Sequence, residues 1–110
     1  MSFGIVFLES SKKDLQKHKK AGNKILVDKI KEFAKECQSN PRIGLGKPER
    51  LKHFSIEIWS REINKQHRFV YEIVETEILI ISLWGHYDDK WSIFSYSFST
   101  KNQNLIHFKT

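Results

Sequence analysis

The chain has 110 residues, enough for one domain with a single modest core and too few for separate sensing and output domains. Lys and Arg number 19 against 13 Asp and Glu, so the net charge of +6 favours a polyanionic partner, nucleic acid before an anionic membrane. The single Cys37 excludes an internal disulfide and favours a reducing compartment, and no apolar run is long enough for a membrane span or a secretory signal. We therefore expect a cytoplasmic protein with no membrane partner.

The N-terminal part of the sequence predicts one strand and two helices. Residues 3–8 form a short apolar run rich in strand formers, which is typical of a buried strand. Ser11 and Asp14 have approximately the spacing of a capping box, so a surface helix is expected from there to about Lys20. A second helix should supply the core, because its apolar residues recur at helical spacing. They are Leu26, Val27, Ile30, Phe33, Ala34 and Cys37.

The C-terminal part predicts an antiparallel meander. Pro41 ends the second helix, and a loop containing Gly44, Gly46 and Pro48 leads to Glu49. The strands expected after it are residues 51–54, 56–64, 67–74 and 78–85, and their short connections require antiparallel neighbours. Alternation along the third of these places Arg68 on the sheet face opposite the aromatic one.

These elements predict an α+β fold in which an N-terminal strand and a two-helix hairpin accompany a four- to five-stranded, mainly antiparallel sheet. We expect residues 1–90 to form one domain. Residues 91–110 form a C-terminal extension, rich in Ser and aromatic residues, whose order the sequence does not decide.

The chain contains the side chains needed to cut RNA through its own 2′-hydroxyl. That reaction needs a base for the hydroxyl proton, a cation for the charge on phosphorus and an acid for the departing 5′-oxygen. Glu49 is the candidate base and Arg68 the phosphate clamp. His86 is the candidate acid, since an imidazole titrates at about pH 6.5, and Tyr87 could bond the phosphate or stack on a base. The residues expected to hold the RNA backbone are Lys47, Arg50, Lys52 and Arg61.

Each of these residues also has a structural interpretation. Glu49 could be a solvated charge, and Arg68 could pair across strands with an acid such as Glu62 or Glu72. His86 could be a packed or capping residue at a strand end. The histidines have no metal-ligand spacing, so neither a metal site nor another cofactor is predicted.

The ordered set of motifs resembles the YoeB/Txe branch of the RelE/ParE toxin superfamily, the ribosome-dependent mRNA interferases of bacterial type II toxin–antitoxin pairs. The resemblance extends over residues 5–90. Its strongest motifs are Gly46-Lys47-Pro48-Glu49-Arg50-Leu51-Lys52, Trp59-Ser60-Arg61, His67-Arg68-Phe69-Val70-Tyr71 and His86-Tyr87.

The resemblance implies a RelE-like fold of the microbial RNase type and a catalytic set of Glu49, Arg68, His86 and Tyr87. It also implies mRNA in the ribosomal A site as substrate, inhibition of translation, an antitoxin partner of the YefM/Axe type, and dimers as a precedent. Two departures stand out: Trp84 replaces a basic residue common in the family, and the chain continues past His-Tyr. The alternatives are a non-catalytic RNA- or ribosome-binding module, and a domain that only binds an acidic antitoxin peptide.

Overall fold

A computed structural model of the protein describes residues 2–85 and Tyr96. Those residues form the predicted α+β fold, with two helices and one five-stranded sheet in the order β1-β5-β4-β3-β2. β1 pairs parallel with β5, and all other neighbours are antiparallel. In chain order the elements are β1 (Gly4–Phe7), α1 (Glu9–Lys20), α2 (Lys24–Cys37), β2 (Glu49–Arg50), β3 (Ile58–Glu62), β4 (Arg68–Val74) and β5 (Glu77–Ser82).

The main core lies between α2 and one face of the sheet. The predicted apolar stripe of α2 is confirmed, because Ile30, Phe33 and Cys37 are all buried there. The Phe33 ring meets the Phe69 ring edge-on, with centroids 5.7 Å apart. Burying a side chain of this size stabilises the fold by about 1.5–3 kcal/mol, so truncating Phe33 to Ala would open a cavity costing about 3–5 kcal/mol.

The opposite face of the sheet carries a smaller apolar cluster. Alternation along β4 is confirmed: Phe69 and Tyr71 belong to the main core, whereas Val70 packs in the smaller cluster. Tyr96 packs against this smaller cluster, and its hydroxyl donates a hydrogen bond to the carboxylate of Glu72. Glu72 is only 4% exposed, and this burial raises its pKa. Of the predicted extension, all residues except Tyr96 lie outside the described part of the chain.

The predicted capping box of the first helix is wrong. α1 begins at Glu9, its N-cap residue is Leu8, and no side chain caps it. Ser11 donates its hydroxyl to the Leu8 carbonyl at 2.8 Å. Asp14 instead accepts the backbone N–H of Leu83 at 3.0 Å, a tertiary contact that ties α1 to the chain just after β5. Local spacing cannot reveal a partner so distant in sequence.

The strand predicted at residues 51–54 is also wrong. The edge strand is Glu49–Arg50, so the pairing begins two residues earlier. The backbone N–H of Leu51 donates to the Ile58 carbonyl at 2.9 Å, and the chain then leaves the sheet. The Leu51 side chain packs in the smaller cluster. This shift makes Glu49 part of the sheet instead of the end of a loop.

Among the described residues, no helix is both long and apolar enough to cross a membrane.

Candidate active site

Glu49 and Arg68 lie on the same sheet face, the one opposite the helices. Glu49 of β2 is the cross-strand partner of Ser60 in β3. The Ser60 hydroxyl accepts a hydrogen bond from Nε of Arg68 at 2.8 Å. Residues directly opposite in an antiparallel pair share a face, with Cβ atoms about 4.5–5.5 Å apart. The buried Ser60 therefore lies between the candidate base and the candidate phosphate clamp, a role that the sequence reasoning missed.

Arg68 is held at the start of β4 with most of its side chain buried. Glu62 is its cross-strand partner, and Nη1 of Arg68 lies 3.8 Å from Oε1 of Glu62. The predicted cross-strand pairing with Glu62 is therefore present, whereas Glu72 bonds Tyr96 instead. A pair this long, with a Glu62 side chain that is 46% exposed, is weak enough for a phosphate to displace.

The exposed basic residues of the site lie along the sheet edge and the loop before it. Lys47 and Lys52 flank β2, and both are exposed. Arg50 is also exposed, but it pairs with Trp59, so it belongs to the opposite face from Glu49. Lys47 adopts a φ of 52°, which turns the chain sharply just before the strand that carries Glu49. All three cations can reach solvent.

The structure contradicts the prediction that Arg61 binds RNA. Its side chain is completely buried, and its guanidinium donates only to partners within the protein. Cross-strand pairing with Phe69 turns it towards the helix side of the sheet, away from Arg68. The partners are the Glu36 carboxylate, the Tyr71 hydroxyl and the carbonyls of Asn40, Ile43 and Leu45. No donor is left for a phosphate outside.

His86 and Tyr87 lie outside the described residues, so their predicted roles stay predictions. Gly85 immediately precedes them, and both its N–H and its carbonyl are hydrogen-bonded. Its N–H donates to Nδ1 of His67 at 2.9 Å, and its carbonyl accepts the backbone N–H of Arg68 at 3.0 Å. The His-Arg pair of the third motif thus fixes the residue that precedes His86.

An aromatic cluster of two buried histidines and the exposed Trp84 supports this end of β5. The Trp84 ring lies 4.8 Å from that of His18 and 4.6 Å from that of His67, with Nζ of Lys17 over its face at 4.9 Å. Nε2 of His18 is 2.8 Å from the Leu83 carbonyl. Burial, with a smaller effect of the neighbouring His18 ring, lowers the pKa of His67, which keeps Nδ1 available as an acceptor. Trp84, the departure from the family pattern, here has a packing role.

The sequence is similar to that of a known protein family over most of its length. The sequence matches, over residues 7–87, the family described as YoeB-like toxin of bacterial type II toxin–antitoxin system. The chain belongs to this YoeB family. The matched range contains every motif residue and ends at Tyr87, so the C-terminal extension lies beyond it.

Individual members of the YoeB family are similar in sequence and structure. The chain is 42% identical to Toxin YoeB of Escherichia coli strain K12 over 65 residues, which are 59% of this chain and 77% of that protein. It is also similar to the YoeB dimer from Staphylococcus aureus, with a TM-score of 0.69 and 34% identity over 79% of this chain and 100% of that one. The YoeB-YefM complex from the same organism gives a TM-score of 0.66 and 35% identity, with the same coverage.

Proposed function

We propose that this toxin is a metal-independent endoribonuclease that cleaves mRNA in the ribosomal A site and thereby inhibits translation. The observation that carries the proposal is the shared sheet face of Glu49 and Arg68, joined through Ser60. A carboxylate and a guanidinium that project from the same sheet face on either side of Ser60 can act on the same phosphodiester. Membership of the YoeB family supports the choice of substrate class.

In the proposed reaction, Glu49 takes the proton of the 2′-hydroxyl, and the 2′-oxygen forms a bond to phosphorus. The bond from phosphorus to the 5′-oxygen breaks, and His86 gives that oxygen its proton. Arg68 stabilises the negative charge that builds on the phosphoryl oxygens, where preorganised donors contribute most. The products are a 2′,3′-cyclic phosphate and a free 5′-hydroxyl. Tyr87 would bond the phosphate or stack on a neighbouring base.

His86 is proposed as the acid because of what precedes it. Gly85 is bound to the backbone of Arg68, and consecutive Cα atoms lie about 3.8 Å apart. The residue before His86 is therefore held at the backbone of Arg68. This anchorage, together with the family resemblance, supports the choice of His86 as the acid.

Lys47 and Lys52 are proposed to hold the RNA backbone on either side of the cut, and Arg50, on the opposite face of the edge strand from Glu49, to contact the backbone farther from the cut. Their exposure at the sheet edge suits contact with phosphates, which position a strand without reading its sequence.

The proposed partners are the ribosome and a YefM-like antitoxin. The similar YoeB protein from Staphylococcus aureus is known both in a complex with YefM and as a dimer. A homodimer is therefore proposed as well. An acidic antitoxin segment would suit the net charge of +6. We further propose a cytoplasmic location and a single toxin domain over residues 1–90.

The alternative is a non-catalytic module of the same fold that binds RNA, the ribosome or the antitoxin. One observation favours it: Tyr96 packs on the sheet face that carries Glu49 and Arg68. A tail that covers this face could leave binding intact and block chemistry. It predicts salt-sensitive binding without cut RNA ends on primer extension.

Expression in bacteria tests the proposal. The parent protein should arrest translation, and Glu49→Gln, Arg68→Ala and His86→Gln should each relieve the arrest while the protein stays folded. Arrest by all three variants at the parental level would reject the nuclease in favour of a binding module.

A further inference from the structure

We propose that the buried pair Arg61 and Tyr71 is a positioning unit that fixes the loop before Glu49, and through it the general base, against the sheet. Its catalytic part rests on the proposed function, whereas its structural part does not. The residues acted on are those between the end of α2 and the start of β2. We call residues 38–48 the base loop.

The Arg61 guanidinium uses all its donors within the protein, and three of them bond carbonyls of the base loop. Nη2 donates to the carbonyls of Asn40 at 2.7 Å and Ile43 at 3.1 Å, and Nη1 donates to the Leu45 carbonyl at 3.0 Å and to the Glu36 carboxylate. Nε donates to the Tyr71 hydroxyl at 3.1 Å. A guanidinium has five donors in a fixed fork, and an ammonium has only three. Lysine could not make the same set of contacts.

Tyr71 extends this network to the start of the loop. Its hydroxyl donates to the Pro41 carbonyl at 2.5 Å while it accepts from Arg61. Burial raises the pKa of Tyr71, so the hydroxyl keeps its proton and remains a donor at every working pH. Four carbonyls of an irregular loop are thereby satisfied by two side chains of the sheet.

The loop fits its supports closely. The Leu45 N–H donates to Oε1 of Glu36 at 2.7 Å, the carboxylate that Arg61 also holds. A Cβ added at Gly44 would lie 2.1 Å from that same oxygen. At Gly46, with φ of 75°, an added Cβ would lie 2.7 Å from Cζ of Phe33 and 3.0 Å from Cβ of Arg61. Because the two glycines have no side chain, the loop backbone can approach Glu36, Phe33 and Arg61 this closely.

The end of the network lies only three residues before the base. The Gly46 carbonyl accepts the backbone N–H of Glu62 at 2.7 Å, and Glu62 is in turn paired with Arg68. The chain then turns at Lys47 and enters β2 at Glu49. A displacement of about 1 Å at a reacting group can cost about a hundredfold in rate. The fixed loop therefore matters for chemistry as well as for folding.

The burial of a charge here also argues for a positioning role. A buried arginine is costly to desolvate, and apolar residues often replace buried ion pairs without loss of stability. Arg61 lies at 0% exposure within an otherwise apolar core layer. An apolar residue there would leave the loop carbonyls without donors, although each needs one when it is buried.

Tyr71→Phe tests the proposal, because it keeps the ring in the core and removes only the hydroxyl. The matched control is Ser10→Ala, which also removes one tertiary bond, from the Ser10 hydroxyl to the Ile81 carbonyl at 2.6 Å. Both variants are compared by circular dichroism, by thermal melting and by amide hydrogen exchange of the base loop. Cleavage is measured on ribosome-bound mRNA under single turnover.

We expect Tyr71→Phe to raise amide exchange at Leu45 and Lys47 at least tenfold relative to the sheet. The cleavage rate should fall at least tenfold, while affinity for the programmed ribosome and its salt dependence remain unchanged. Ser10→Ala should change neither readout. In a Glu49→Gln background, Tyr71→Phe should lower the residual rate no further, because the loop acts through Glu49.

Unchanged loop exchange in Tyr71→Phe would overturn the proposal, as would a cleavage rate equal to that of Ser10→Ala. Losses that multiply between Tyr71→Phe and Glu49→Gln would also overturn the catalytic part. If the parent does not cut RNA at all, the proposed nuclease fails. Hydrogen exchange then still decides whether Arg61 and Tyr71 fix the loop.

Discussion

Ser60→Ala should reduce cleavage by disturbing Arg68 without removing it. Ser60 is completely buried, and its hydroxyl accepts Nε of Arg68 at 2.8 Å. A hydrogen bond to a charged group in such a site contributes about 1.5–3 kcal/mol. Arg68 keeps its other contacts, including Glu62, so we expect the lower half of that range for stability.

The same bond sets the direction of the guanidinium. If its orientation is needed in the transition state, a loss of about 1.5–3 kcal/mol there corresponds to about a tenfold to hundredfold slower reaction. The assay is the single-turnover cleavage of ribosome-bound mRNA, with thermal melting in parallel. The expected loss of stability corresponds to a few degrees to about 15 °C in Tm for a domain of this size.

Ser10→Ala serves again as control, because it removes a serine hydroxyl bond on β5 away from Arg68. It should melt earlier yet cleave at the parental rate. Full cleavage by Ser60→Ala, in a preparation in which Arg68→Ala is inactive, would refute the argument that Ser60 orients Arg68.

Three further predictions concern RNA affinity, acid stability and the base loop. Lys52→Ala should reduce the slope of log affinity against log salt by about 0.7, as expected for one lost phosphate contact on a single strand, measured by titration at several salt concentrations. Burial lowers the pKa of His67, so the folded protein binds fewer protons than the unfolded chain. The contribution of His67 to the free energy of unfolding is therefore fully present above about pH 6.5 and is lost as the pH falls through the folded pKa. Denaturant melts should show this loss, and His67→Asn should flatten it. Gly44→Ala should destabilise the fold by more than about 1–3 kcal/mol, since it adds a clash with Glu36 to backbone strain. Gly22→Ala is its control, because φ is positive there too but nothing lies within 4 Å; equal losses in the two variants would contradict the clash.

The fold follows from local rules over most of the described chain. Period-2 alternation correctly placed Arg68 on one face of β4 and Tyr71 on the other, because β4 lies in the sheet interior with a core on each face. The helical stripe of α2 that ends at Cys37 is confirmed because that one face of the helix packs on the main core. Burial raises the pKa of that thiol to about 11, as expected for an inert packing residue.

The errors arose where long-range partners decide. Asp14 has the spacing of a capping residue, but its carboxylate accepts the backbone N–H of Leu83, which lies 69 positions away in the sequence. Arg61 reads as an RNA contact in a basic motif, and only the network with Glu36 and the base loop buries it. Ser60 lies in a sequence motif, but its contact with Arg68 depends on the register between β3 and β4, which the motif does not specify.

The central claim is that Glu49 and Arg68 act on one phosphodiester. Its most direct test is the chemical analysis of the RNA ends formed when purified protein meets mRNA on programmed ribosomes. We predict a 2′,3′-cyclic phosphate or its 3′-phosphate product upstream and a 5′-hydroxyl downstream, formed at a strongly reduced rate by Glu49→Gln and by Arg68→Ala. Uncut mRNA with the parent protein, or unchanged cutting with both variants, would contradict the account.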